Sequence, residues 1–220
     1  MGSGWRTRAL AIGTSVALAI GLSACSTVGV NTDSAEMKKL RADTTEHLNL
    51  VTSMTIPVSM RRLAASVIDS CGQIDTDKGA VVGGATYCAI SRADVLAVNV
   101  PGDAVANAKA VDVLFDTSGF ESDFSLAESP EVAEMNSGGK VIASSVTEVL
   151  GITVRAQFIP AGLPQDRLAL RLSSVPTKGG TILESSGTPA AERISSIANS
   201  DAPYFVILDY SEDYYSSVPR

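Results

Sequence analysis

The sequence predicts an α+β fold, a single domain with one antiparallel sheet and helices packed on one face of it. Three observations support this prediction. Apolar residues recur at three- and four-residue steps early in the chain, which indicates an amphipathic helix. Apolar and polar residues alternate over residues 152–158, which indicates a half-buried strand. Strand, helix and hairpin patterns follow one another over residues 87–173, and this mixed order is typical of α+β domains.

The first predicted elements are a helix, an ambiguous segment, a strand and a second helix, over residues 33–54, 59–70, 87–100 and 103–117. Asp33 is the expected N-cap of the first helix and Asp103 that of the second. The ambiguous segment fits a helix or a strand, because periodicity does not separate the two over a short apolar run. Gly119 is expected to end the second helix.

The remaining predicted elements are a short helix, three strands, a helix and a last strand, over residues 130–135, 141–149, 152–158, 168–172, 189–199 and 204–209. Leucine alternates with arginine or alanine over residues 168–172, so this strand is expected to form a hairpin with the strand over residues 152–158. The outer face of that hairpin would carry Arg155, Arg167 and Arg171, which makes it a candidate site for an acidic ligand. A charged, solvated face is the alternative interpretation.

The N-terminus has the zones of an export signal. Arg6 and Arg8 precede an uncharged apolar run, residues 9–22, which is shorter than the roughly 20 residues that a membrane-spanning helix needs. Leu22-Ser23-Ala24-Cys25 follows and resembles the lipobox of bacterial lipoproteins, in which the Cys thiol receives a diacylglycerol and the signal is cut just before it. The resemblance implies a cleaved signal peptide over residues 1–24, a lipidated Cys25, a tether over residues 25–32 and a globular domain over residues 33–220. The protein is then expected at the extracytoplasmic face of the cell membrane, held by its acyl chains.

Two further cysteines, Cys71 and Cys88, lie 17 positions apart. In an oxidising compartment such a pair is expected to form a disulfide. A redox-active pair is the alternative, although its spacing is usually closer, as in Cys-X-X-Cys.

The composition excludes several classes of function. The chain has 17 basic and 24 acidic side chains and a net charge of −7, and no basic stripe interleaved with aromatics, so we expect no nucleic-acid partner. Its single histidine, His47, excludes a multi-histidine metal site, and no cofactor motif is present. His47 falls near the apolar edge of the first predicted helix, which favours a half-buried surface position over a catalytic one.

The C-terminal stretch from Asp209 to Tyr215 combines carboxylates with tyrosines. Such a stretch can bind a cation or a basic partner, but it is more often a strand end with its tyrosines packed on the sheet edge. The predicted N-terminal helix, the disulfide-held loop and the helix that ends in Gly119-Phe120 before a hairpin are similar to small exported lipoproteins of high-GC Gram-positive bacteria. That resemblance implies no activity.

Because the sequence contains no phosphate loop, metal cluster or nucleophile–base pair, we expect a non-enzymatic binding or accessory module at the cell envelope. Its partner would be an envelope protein or a small molecule. An envelope hydrolase whose carboxylates are brought together by the fold is one alternative, and a carrier of a lipid or another small molecule is another. A deep site with carboxylates of raised pKa would favour the hydrolase.

Overall fold

The computed structural model describes residues 31–74, 85–120, 125–172 and 181–216. The predicted signal peptide, Cys25 and most of the predicted tether lie outside these residues. The helices are α1 Ala35–Thr52, α2 Ala104–Thr117, α3 Pro130–Asn136, α4 Gln165–Leu172 and α5 Ala190–Ala198, with a 3-10 turn at Leu126–Glu128. The strands are β1 Met60–Ile74, β2 Ala85–Val98, β3 Ala143–Val149, β4 Ile152–Pro160, β5 Thr181–Gly187 and β6 Tyr204–Ser216.

The six strands form one antiparallel sheet in the order β3-β4-β6-β2-β1-β5. β6, the last strand of the chain, therefore lies in the middle, between β4 and β2. β3 and β4 are joined by a tight turn at Leu150-Gly151, where both residues have positive φ, as two-residue hairpin turns of type I′ require. The predicted α+β class and its antiparallel sheet are confirmed.

The alternation along β6 shows that the sheet is covered on both faces. Val206 and Leu208 pack in a large core with α1, α2 and α3, whereas Phe205 and Ile207 pack in a smaller core with α4 and α5. Successive residues of a strand point to opposite faces, so the two cores lie on opposite sides of the sheet. The prediction placed the helices on one face; the second, smaller layer arises because β6 is apolar on both of its faces.

Most predicted elements are present, with shifted ends. Ser34 caps α1 in place of Asp33, since the Ser34 hydroxyl accepts a hydrogen bond from the Met37 amide. Asp103 caps α2 and Gly119, at φ 75°, follows its end, as expected. The ambiguous segment is strand β1. β6 continues to Ser216, seven residues beyond the predicted end at Asp209, and β5 was not predicted.

The predicted strand over residues 168–172 is wrong, because these residues belong to helix α4. The Leu168 amide donates to the Pro164 carbonyl, which is the first helical hydrogen bond after the proline. β4 already has β3 on one side and β6 on the other, so the sheet leaves no edge of β4 for a further hairpin strand. The predicted hairpin and its arginine face therefore do not exist.

A bulge in β1 changes which of its side chains share a face. Arg62 pairs with Leu96 and Ala64 pairs with Val95, so Leu63 is an extra residue in β1. Ala64 belongs to the smaller core and Leu63 packs against it, so both point to the same face, and the alternation resumes one residue later. Arg62 and Asp69 are seven residues apart and would point to opposite faces of a regular strand, but the bulge places both on the α1 side.

Candidate functional site

A row of charged side chains follows β1 and β2 on the α1 side of the sheet. It comprises Arg41, Arg62, Asp69, Arg92 and Asp94, and we name the region that they define the α1 groove. Arg62 and Asp69 are separated by roughly 20 Å along β1. At the Asp69 end, α1 and the edge strand β5 form the walls, and β1 and β2 form the floor. The groove deepens there into a cavity of about 190 Å³, whose lining also includes Val67, Ile90 and Glu184.

Asp69 is the centre of one end of this groove. The carboxylate is 5% exposed, and its Oδ2 lies 2.5 Å from Nε of Arg41 on α1. The Tyr214 hydroxyl, from β6, donates to Oδ1 of Asp69 at 2.7 Å. Burial and this hydrogen bond raise the pKa of Tyr214 to about 12, so the hydroxyl stays protonated and remains a donor. The Asp69 end of the groove is thereby held together by contacts between side chains of α1, β1 and β6.

The predicted disulfide between Cys71 and Cys88 is present. The two residues face each other directly across β1 and β2, with their Cα atoms 4.1 Å apart, and both are buried. The Cys71 sulfur lies 3.7 Å from the Tyr214 hydroxyl, so the bridge packs beneath the Asp69 end of the α1 groove. Because the two cysteines are directly paired across β1 and β2, the disulfide cross-links the two strands, which supports a structural role.

The other end of the groove is built around Asp94, whose side chain is 1% exposed. Arg92 donates to it from both Nε, at 3.2 Å, and Nη2, at 3.3 Å. Nε of Arg62 lies 3.4 Å from Oδ1 of the same carboxylate. One buried acid therefore faces two guanidinium groups.

Tyr210 lies beside this charged cluster. It is on β6, directly opposite Arg92, and it is 1% exposed. Burial raises the pKa of Tyr210, with the negative charge of Asp94 acting in the same direction and the charges of Arg92 and Arg62 opposing it. Among the residues that the structure describes, no group accepts or donates a hydrogen bond at the Tyr210 hydroxyl.

A second charged cluster lies on the other face of the sheet. Asp209 of β6 is paired across the sheet with Arg155 of β4. Arg193 of α5 is buried above it and donates from Nη1 to the Ser66 hydroxyl. Burial raises the pKa of Asp209 to about 6, although the charges of Arg155 and Arg193 act in the opposite direction.

The three arginines of the predicted binding face do not share a surface strand. Arg155 is exposed on β4, beside Asp209. Arg167 is on α4, where Nη1 donates to the Lys140 carbonyl at 3.3 Å. Arg171 is also in α4, and its side chain lies outside what the structure describes. The three arginines form a group in the sequence because an alternating pattern predicts a strand over residues 168–172. Arg167 and Arg171 are instead in a helix, so they do not share a strand face with Arg155.

His47 is half-buried on α1 and makes an interaction that the sequence did not suggest. Its Nδ1 lies 2.9 Å from Oε1 of Glu212 on β6. Glu212, Tyr210 and Tyr214 of the C-terminal stretch thus face α1 from within the sheet. Because the carboxylate of Glu212 contacts His47 on α1, this part of the C-terminal stretch is packed against a helix and is not a free acidic tail.

Arg62, Arg92 and Asp94 were not singled out from the sequence, although one signal was present. Arg92 and Asp94 are charged residues two positions apart within a predicted apolar strand, so they must share a face of the sheet. Arg62 could not be added to them, because its own segment was ambiguous and the bulge at Leu63 shifts its face.

Comparison with known proteins yields no relative: no family model, curated protein or solved structure matches the chain. In the described ranges, no helix combines the length and apolarity needed to span a bilayer. Nor do these ranges contain three or more His, Cys, Asp or Glu side chains grouped so that they could hold a metal ion.

Proposed function

We propose that this chain is an exported, non-enzymatic binding module, tethered to the cell membrane through Cys25, and that it binds its partner or ligand in the α1 groove. The observation that carries the proposal is the pairing of the buried charges there. Asp69 and Asp94 are each engaged by arginine, so both side chains are held in fixed positions by contacts with cationic groups. Groups held in this way suit recognition better than proton transfer.

The size and lining of the groove favour contact with a polar group. Its cavity of about 190 Å³ is smaller than the roughly 300–1,000 Å³ of sites that enclose a small molecule. Arg41, Asp69 and Glu184 line it, which is unsuitable for an acyl chain. This supports a ligand that inserts one polar group and rests on the rim, and it argues against carriage of a lipid in this cavity.

Native mass spectrometry of the exported chain, gently purified from its host membrane, tests this proposal. We expect added mass that is lost on denaturation, and we expect it to disappear in Arg62→Glu, which reverses a charge in the groove. The matched control is Arg61→Glu, because Arg61 is the neighbouring residue and pairs with Ala97 on the opposite face. A bound mass that survives Arg62→Glu, or is lost equally in both variants, would contradict binding in the α1 groove.

A second candidate function, hydrolysis by a carboxylate, is favoured by one observation on the other face. Asp209 has a pKa of about 6 and lies near Arg155 and Arg193, which is a setting in which a carboxyl can exchange a proton near neutral pH. The test is turnover of an envelope substrate by two variants. Loss of turnover in Asp209→Asn, with turnover retained in Arg62→Glu, would favour hydrolysis over the binding module.

A further inference from the structure

The cluster of Arg62, Asp94 and Arg92 contains more positive than negative charge. Two guanidinium groups carry two positive charges, and the single carboxylate between them neutralises one. The side chain of Arg92 is 16% exposed, so most of its charge is removed from water. A partly buried cation without full compensation is costly, and a bound anion would remove that cost.

The cluster also has hydrogen-bond donors left over. A guanidinium group has five N–H donors in a flat fork. Nε and Nη2 of Arg92 donate to the two oxygens of Asp94, whereas Arg62 makes an ion-pair contact with the same carboxylate, its Nε lying 3.4 Å from Oδ1. In the described part of the chain, no hydrogen bond is formed by either Nη group of Arg62. The Arg62 side chain is 35% exposed, so part of it is accessible to a ligand.

Tyr210 supplies an independent indication. Its hydroxyl is buried next to the cluster, and within the described ranges it has no hydrogen-bond partner. A buried hydroxyl without a hydrogen-bond partner is unfavourable, so a partner is expected at this position. A ligand oxygen between the hydroxyl and the two arginines would provide it.

We propose that the Arg62 end of the α1 groove binds an oxyanion, either a carboxylate or a phosphate group of a small molecule. Arg62 and Arg92 are its cationic contacts and the Tyr210 hydroxyl is a further donor. The fork of donors on arginine matches the paired oxygens of both groups. The inference rests on the proposed function, because it names the ligand chemistry of the same groove.

The charges around the groove support a small anionic group over a polyanion. The whole chain has a net charge of −7. The far end of the same groove carries Asp69 and Glu184 against Arg41, so the excess of positive charge is confined to the cluster. A long polyanion would meet these acids, whereas a single oxyanion reaches only the Arg62 end.

Isothermal titration calorimetry of the purified chain tests the inference, with sodium phosphate and sodium succinate as probes at constant ionic strength. We expect saturable binding of at least one probe, and the probe that binds identifies the source of the oxyanion. Arg62→Gln should weaken that binding by about tenfold or more, as expected for one charge-assisted hydrogen bond. Arg61→Gln, on the opposite face, should leave it unchanged.

Arg92→Lys is a second variant, because Arg92→Gln would leave Asp94 with one partner and could prevent folding. Lysine keeps the charge and loses the fork, so the folded variant should bind the probe more weakly than the wild type. The inference is overturned if neither probe binds saturably, or if Arg62→Gln binds as tightly as the wild type. If the native ligand is lost in Arg62→Glu while neither probe binds, the groove is the binding site and the oxyanion assignment alone is wrong.

Discussion

At the scale of single residues, the buried acids on the two faces of the sheet differ in their surroundings. Asp94 is hydrogen-bonded to Arg92 and lies within ion-pair distance of Arg62. Asp209 has Arg155 and Arg193 nearby, yet burial dominates and raises its pKa from 3.8 to about 6. The charge of Asp209 therefore destabilises the folded chain near neutral pH, which is unusual for an aspartate.

Asp209 should make the stability of the protein depend on pH. Because its pKa is higher in the folded than in the unfolded chain, the folded chain binds the proton more tightly. The free energy of unfolding should therefore fall as pH rises from about 4 to about 6, by up to about 3 kcal/mol, and remain low above that range. Asp209→Asn should remove this part of the decline in urea unfolding curves measured between pH 4 and 8.

The exposed Asp201 provides the control for that experiment, since Asp201→Asn should preserve the pH dependence of the wild type. Parallel curves for the wild type and Asp209→Asn would show that Asp209 does not carry the effect.

At the scale of elements, the junction of β5 with α5 depends on one glycine. Gly187 has φ 88° and pairs with Ser66 at the edge of the sheet. The next residue, Thr188, donates its amide to the Ala65 carbonyl at 2.7 Å. A β-carbon at position 187 would clash with that carbonyl oxygen, so the close approach of the two backbones requires glycine.

Gly187→Ala should accordingly lower the free energy of unfolding by more than the roughly 1 kcal/mol expected for positive φ alone. Gly151→Ala is the matched control, because Gly151 also has positive φ but its β-carbon would have open space. Thermal unfolding of the two variants measures the difference. Equal losses in both would mean that the contact with Ala65 is relaxed at little cost.

Much of the element pattern could be predicted from the sequence because it depends on local periodicity. Helix α2, with Asp103 as its cap, and strands β3 and β4 are such cases. The C-terminal half of β6 could not be predicted, because its acidic side chains have partners far away in the sequence. Glu212 contacts His47 across 165 residues, and Tyr214 contacts Asp69 across 145. No local pattern contains those interactions.

At the scale of the whole molecule, the position of the groove relative to the membrane follows from the proposed anchor. Ala35, the first residue of α1, is ten positions after Cys25, which allows a separation of at most about 35 Å. Arg41 lies in the second turn of the same helix. An acyl anchor on Cys25 would therefore hold the α1 groove close to the membrane surface, where a ligand in the envelope can reach it.

Cys25→Ala should move the protein from the detergent phase to the aqueous phase in a detergent partition experiment. Without acyl chains, an acidic chain has little attraction to an anionic bilayer. Ser26→Ala changes the neighbouring residue and should leave the partition unchanged. If Cys25→Ala stays with the membrane, the proposed lipid anchor is wrong.

The bulge at Leu63 makes the α1 groove sensitive to the length of β1 as well as to its composition. Deleting Leu63 would leave Arg62 opposite Leu96 and Ala64 opposite Val95. Arg62 and Asp69 would then both remain on the α1 side of the sheet. Inserting one residue between Ala65 and Asp69 would instead turn part of the strand over and separate Arg62 from Asp69. A chain that keeps this groove should therefore tolerate loss of the residue at position 63, but not a one-residue insertion or deletion within the four residues that precede Asp69.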